Sequence, residues 1–335
     1  MIRQPESKVI GRQEWADIAR GIVIVIMILA HMPNYTPAWF RAIASSFHMP
    51  FFFILAGYFF NPNGKKCKKY IEKKLRRLLL PYFIFNFVFI LTDTFFFGFN
   101  VKRIKEDLYN IFILGKGVSI LWFFWVLFGV EIVFFLILHF LSKKKSVILI
   151  AALILFGAGC SFWRVELFWA IPTIMLSLSF YGIGYVLKIF NLLDYLSMPA
   201  CFLFWLLSFL IVYLHDHSVV LWNLSGNECS NFFFCFVTAI AGTLLIVQIS
   251  KYLSAHKLIL GKFFAPIGLW SLYIYPLSKW LPDFFKAFFK SYVPVLAVNA
   301  TTCAVVSYLV GYILLFLLIR FIIFKRAFMS SRNLK

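Results

Sequence analysis

Asp17-Ile-Ala-Arg20-Gly-Ile-Val-Ile-Val-Ile-Met-Ile-Leu-Ala-His31 decides how this chain is read. It has the hydrophobicity of a membrane helix, yet it carries three polar groups that a lipid-facing helix would not tolerate. Asp17 and Arg20 lie one turn apart and can pair. Arg20 and His31 are separated by almost a whole number of turns, so both project from one face, about 16 Å apart along the axis. A line of Asp, Arg and His down one face of a membrane helix must look onto protein or water, and its default meaning is a functional path.

Outside that stretch the composition sets the class. The 335 residues are 62% hydrophobic with a mean hydropathy of +0.88, too apolar for a soluble domain. The expected fold is all-α: a polytopic integral membrane bundle of about ten transmembrane helices, forming one domain over 1–335. The spans fall at 14–32, 43–61, 78–98, 120–142, 146–163, 167–188, 197–214, 231–251, 264–282 (broken by Pro266 and Pro276) and 294–324. The formal net charge of +20 would suggest a nucleic-acid partner in a soluble protein. Here the cations lie between apolar spans, so topology explains them and no nucleic-acid partner is expected. With both termini in the cytoplasm, most of the 33 lysines and arginines fall on the inner side. Segment 99–119 is then outside despite Lys102, Arg103, Lys105 and Lys116, of which Glu106 and Asp107 offset two. No cleaved signal peptide is read at the N-terminus.

The polar residues outside the first helix fall into a few groups. His48 opens the second helix just as His31 closes the first, so their imidazoles can lie close together. Two interfacial histidines bonded to water would look the same in sequence. The basic segment 64–80 reads as a cytoplasmic helix on anionic lipid. Its alternative use is a phosphate clamp, with Lys73 beside Arg76 and Arg77, whose guanidinium groups grip phosphate bidentately. Residues 325–335 form a basic cytoplasmic tail. Glu131 inside an apolar span needs a partner: a structural ion pair, a protonated hydrogen-bonded acid and a catalytic acid all fit. Trp122, and Trp163-Arg164-Val-Glu166, mix aromatic and polar groups in a way that suits a sugar, although tryptophan is also expected at a membrane interface. His215-Asp216-His217 lacks a third ligand nearby and the six cysteines show no metal spacing, so no metal site is expected.

Taken in order, Asp17 and Arg20-x10-His31, then Phe47-His48-Met-Pro-Phe-Phe-Phe-Ile-Leu-Ala-Gly57-Tyr58, Lys74-Leu-Arg76-Arg77-Leu-Leu-Leu-Pro81-Tyr82, Leu121-Trp122-Phe123-Phe124, and Gly261 through Ser271-Leu-Tyr-Ile-Tyr275 resemble the acyltransferase family 3 membrane proteins. The resemblance implies transfer of an acyl group, usually acetyl from acetyl-CoA as co-substrate with no tightly bound cofactor, to a hydroxyl of O-antigen, capsule or exopolysaccharide at a bacterial inner membrane. By position it makes His31 the catalytic residue, Arg20 its motif partner, and Arg76 and Arg77 the donor-side arginines. Many relatives carry a histidine after the Ser-Leu-x-Ile-Tyr segment, where this chain has Pro276, Leu277 and Ser278.

The residues themselves suggest a mechanism within that frame. Asp17 pairs with Arg20, being too far along the helix to orient His31, and His48 shares the proton work or steers the acceptor. Membrane lipids and a carbohydrate acceptor, possibly lipid-linked, are the expected partners. A glycan transporter or flippase, a scaffold subunit of a polysaccharide synthase, or an acyltransferase with another donor or acceptor would share the buried charges and basic loops.

Overall fold

Seventeen residues, apolar without a break from Gly21 on, form α1 (Glu14–Ala30), with Glu14 and Asp17 in its first turn where the helix dipole favours anions. The computed structural model describes residues 13–32, 36–61, 67–140, 156–157, 159, 167–216, 222–229, 231–293 and 300–332. Helices account for nearly all of them: α2 (Ala38–Tyr58), α3 (Cys67–Lys74), α4 (Leu80–Phe97), α5 (Val101–Tyr109), α6 (Trp122–Phe140), α7 (Ile171–Ile189), α8 (Met198–Asp216), α9 (Phe232–Ala255), α10 (Ile259–Leu269), α11 (Ser271–Tyr292) and α12 (Ala300–Arg332).

Among the described residues, six helical segments are long and apolar enough to cross a membrane: Ala38–Tyr58, Cys67–Phe97, Trp122–Phe140, Phe168–Ile189, Phe232–Ala255 and Thr301–Phe321. Met198–Leu214 and Ile259–Leu269 are shorter apolar helices. The helix expected at 146–163 lies outside the described residues. Large side chains such as Phe202, Phe204, Leu207 and Ile211 on α8 stand half-exposed on the outside of the bundle. Such a surface is stable against acyl chains and costly in water.

Helices α1 and α2 sit at the centre. α1 packs on α2, α9 and α10, and α2 on α7 and α9, with α6 against α7 and α12 against α11. Two glycine contacts bring these backbones together. A Cβ on Gly268 would stand 1.7 Å from the Asp17 carbonyl oxygen, and one on Gly21 would stand 2.1 Å from that of Phe264. Gly57 and Gly184 do the same for α2 and α7, 1.9 Å from the Tyr181 oxygen and 1.8 Å from that of Ile54. Small residues are how membrane helices gain contact when lipid offers no hydrophobic drive. Gly268→Ala is therefore expected to push α10 off α1 and lower the melting temperature in detergent, an overpacking cost of about 1–3 kcal/mol. A variant that melts with the wild type would show that α1 and α10 are not this close.

Two local features depart from the sequence reading. The expected proline-broken ninth span is broken at neither proline: Pro266 lies inside α10 and Pro276 inside α11. The break is at Trp270 (φ −101°, ψ 6°), whose N–H closes a short turn onto the Ile267 carbonyl. Gly268, a poor helix former, is two residues before it. The second departure is in the basic segment, which continues into α4 through a π-helical turn at Leu75–Leu79. A π turn holds more residues than an α turn and shifts the helix face. The inward positions therefore run Tyr70, Lys74, Leu78, Tyr82, at a spacing of four, and Leu75 is turned outward at 39% exposure.

At the His31 end, a two-residue antiparallel hairpin pairs Trp222 with Cys229 and Asn223 with Glu228. Its turn runs through Asn227 in the left-handed region (φ 54°), where asparagine is tolerated. The indole of Trp222 is buried and donates to the Cys235 carbonyl at 2.9 Å, tying the hairpin to α9.

Candidate active site

Steps of four, three and four residues put Arg20, Ile24, Met27 and His31 in one stripe down α1. That stripe faces two cavities in succession. Arg20 and Ile24 line a cavity of about 280 Å³, while Met27 and His31 line a second of about 710 Å³. On α2 the stripe Phe52, Leu55 and Ala56, with Phe59 just past its end, faces the first cavity, and Ser45 and His48 face the second. Met49 and Tyr275 line both.

The first cavity is cationic. Arg20 Nη1 donates to Asp17 Oδ1 at 2.9 Å, and its guanidinium stands 5.5 Å from the centre of the Phe59 ring. The buried Asp17 carboxylate thus holds Arg20 in place. Lys73, Lys74 and Arg77 enter from the α3–α4 helix, and Glu131 from the middle of α6. Glu131 forms an ion pair with Lys74, both side chains largely buried at 8% and 15% exposure. Of the three readings open for Glu131, the ion pair is the one observed. Most of the remaining wall is apolar or aromatic, including Leu127, Phe123 and Phe52, with Asn61 and Ser271 as further polar residues.

The second cavity holds the two histidines. His31 Nδ1 is 2.8 Å from the Met27 carbonyl oxygen, and His48 Nδ1 is 2.7 Å from that of Ala44. A carbonyl oxygen only accepts, so each Nδ1 carries the hydrogen and each Nε2 is left as the basic nitrogen. The rings meet edge to face with centres 5.7 Å apart. Around them stand Trp122, Trp222, Tyr308 and Tyr312, with Arg41, Lys279, Asn223 and Glu228 as the polar groups. Cys229 also lines this cavity, but burial pushes its thiol up to about 12, so it is protonated at neutral pH and a poor nucleophile.

The residues singled out in the sequence divide as follows. His31, His48 and Trp122 come together in the second cavity, while Arg20, Lys73, Arg77 and Glu131 come together in the first. Asp17 sits behind Arg20. Arg76 is exposed and lines neither cavity. Trp163, Arg164 and Glu166 lie outside the described residues. Sequence reasoning gave no site role to Arg41 or Lys279, and met Lys74 and Met49 only inside longer motifs. It met Tyr275 only as part of a longer motif. Lys74 shares a face with Tyr70 by ordinary i, i+4 spacing, and the π turn carries that face on to Leu78 and Tyr82.

The inner helices of the apolar bundle thus carry polar stripes, with cations lining one cavity and imidazoles the next. The acyltransferase domain family model matches residues 13–327, which include every element lining either cavity. The chain belongs to that family, acyltransferase family 3, and is a membrane acyltransferase. No curated protein and no solved structure matches it significantly.

Proposed function

We propose that this chain is a membrane O-acetyltransferase that moves acetyl from acetyl-CoA to a hydroxyl of a cell-surface carbohydrate. One observation carries the reading. A cavity rich in guanidinium and ammonium groups meets, at the shared residues Met49 and Tyr275, a cavity holding two imidazoles with basic Nε2 atoms. The first suits a polyphosphate donor and the second suits deprotonation of a hydroxyl.

Acetyl-CoA is cytoplasmic, and the excess of cations in the sequence at the termini and between α2 and α3 supports a cytoplasmic side for the Arg20 end. Arg20, Arg77 and Lys73 hold the donor phosphates, and the pantetheine arm runs along the apolar wall toward Met49 and Tyr275. The acceptor enters the second cavity, whose lining includes Trp122, Trp222, Tyr308 and Tyr312 as aromatic contacts for a sugar ring. A histidine Nε2 takes the hydroxyl proton as the oxygen attacks the thioester carbonyl. The new C–O bond forms, the C–S bond breaks, and the proton ends on the sulfur of free CoA. A short-lived acetyl-imidazole on His31 gives the same balance in two steps.

The test is transfer of radiolabelled acetyl from acetyl-CoA to a panel of surface glycans by purified protein in liposomes. Label on a glycan is expected. Intact, well-folded protein that labels no glycan from any acyl donor would overturn the reading in favour of a glycan transporter. Within that assay Arg77→Ala is expected to raise the KM for acetyl-CoA about tenfold, the loss of one charge-assisted contact of about 1.5 kcal/mol. Arg76→Ala, at a side chain outside the cavity, is expected to change it less. Equal KM changes in the two variants would remove Arg77 from the donor site.

A further inference from the structure

Met49 and Tyr275 are the two residues common to both cavities, and both are buried, at 7% and 5% exposure. The Tyr275 ring packs against Phe123 and Phe124, with centres 5.5 and 6.1 Å away. Its hydroxyl donates to the Ile120 carbonyl at 2.5 Å, so the ring is anchored at its edge and at its tip. Met49 follows His48 directly on α2, and its unbranched thioether is the more yielding half of the pair. The two side chains shared by the cavities are therefore one fixed aromatic ring and one flexible thioether.

We propose that Met49 and Tyr275 decide which acyl groups this enzyme transfers, by limiting the cross-section of what reaches the histidines. The inference rests on the reading that the donor enters from the Arg20 side. The last atoms of the pantetheine arm are unbranched methylenes and a sulfur. The acyl group is thus the widest part of the donor that has to pass or lodge between Met49 and Tyr275. Acetyl and propionyl fit a gap that Met49 opens by changing rotamer. Acyl groups branched or aromatic at the carbon next to the carbonyl, such as isobutyryl and benzoyl, meet the held ring of Tyr275 and are excluded. The reaction stays balanced as above for any acyl group: the ester C–O bond forms, the thioester C–S bond breaks, and the hydroxyl proton ends on CoA.

The experiment uses the full chain in liposomes, one glycan acceptor, and acetyl-, propionyl-, isobutyryl- and benzoyl-CoA, with kcat/KM measured for each. Wild type is expected to use isobutyryl-CoA at least tenfold less well than acetyl-CoA, since a packed pocket resolves one added carbon on about that scale and isobutyryl adds two. Met49→Ala is expected to raise the isobutyryl-to-acetyl ratio about tenfold. Met49→Val, which removes less volume, is expected to raise it less and guards against misfolding of the alanine variant. Tyr275→Phe keeps the ring and is expected to keep the ranking of donors. Two results would overturn the proposal: a wild type that takes isobutyryl as readily as acetyl, or Met49 variants that transfer acetyl with an unchanged ratio. A wild type that uses no acyl-CoA at all would overturn the acetyltransferase reading and this proposal with it.

Discussion

His31→Ala is expected to abolish acetyl transfer, lowering kcat at least a hundredfold, while the protein inserts and melts as the wild type does. General-base catalysis contributes about 100- to 10,000-fold, which sets the scale. The imidazole is solvent-facing within the second cavity, so removing it leaves no packing void. Its Nδ1 bond to Met27 is local to α1, and the helix does not depend on it. His48 is a different case. It is buried, it bonds Ala44 through Nδ1, and it lies one residue from Met49, which both cavities share. His48→Ala is therefore expected to affect both turnover and stability. The comparison separates a proton-transfer role at His31 from a combined role at His48. Wild-type turnover by purified His31→Ala would remove His31 from the chemistry, whether as base or as acyl carrier.

The second large effect is expected at the Lys74–Glu131 pair, where stability is read instead of rate. Glu131→Leu leaves the Lys74 ammonium inside the bundle without its carboxylate. Removing one member of a buried ion pair costs about 3–5 kcal/mol, because the other charge is then uncompensated. A sharp fall in melting temperature, or failure to accumulate in the membrane, is the expected outcome. The double variant Lys74→Met with Glu131→Leu is expected to recover most of the loss, since apolar residues of similar volume can replace such a pair. Recovery of stability without recovery of transfer would show that the pair also shapes the donor cavity. If the single variant is as stable as wild type, the pair is not buried as found.

The fold was legible in the sequence to the extent that apolar length reports a membrane span. The span boundaries at α6, α7 and α9 fall within a few residues of the expected ones, because each is bounded by polar or turn-forming residues. The stripe on α1 was equally readable, since an undistorted helix keeps its 3.6-residue period from Arg20 to His31. Three features escaped because they depend on packing. The π turn at Leu75–Leu79 has no signature in residue type, and it carries the Lys74 face on to Leu78 and Tyr82 and turns Leu75 outward. The glycines at 21, 57, 184 and 268 were visible as residues, but their role appears only once each is seen against a partner helix carbonyl. The pair Met49 and Tyr275 joins residues from helices distant in sequence, and no spacing rule could have brought them together.

Donor and acceptor meeting at Met49 and Tyr275 from opposite ends of the bundle is the arrangement that the proposed function requires. It is tested most directly with the protein in sealed liposomes, radiolabelled acetyl-CoA outside and a glycan acceptor trapped inside. Acetyl-CoA does not cross the bilayer unaided, so label on the trapped glycan, lost in His31→Ala, is the predicted result. Label that appears only when both substrates share one side of the membrane would contradict it.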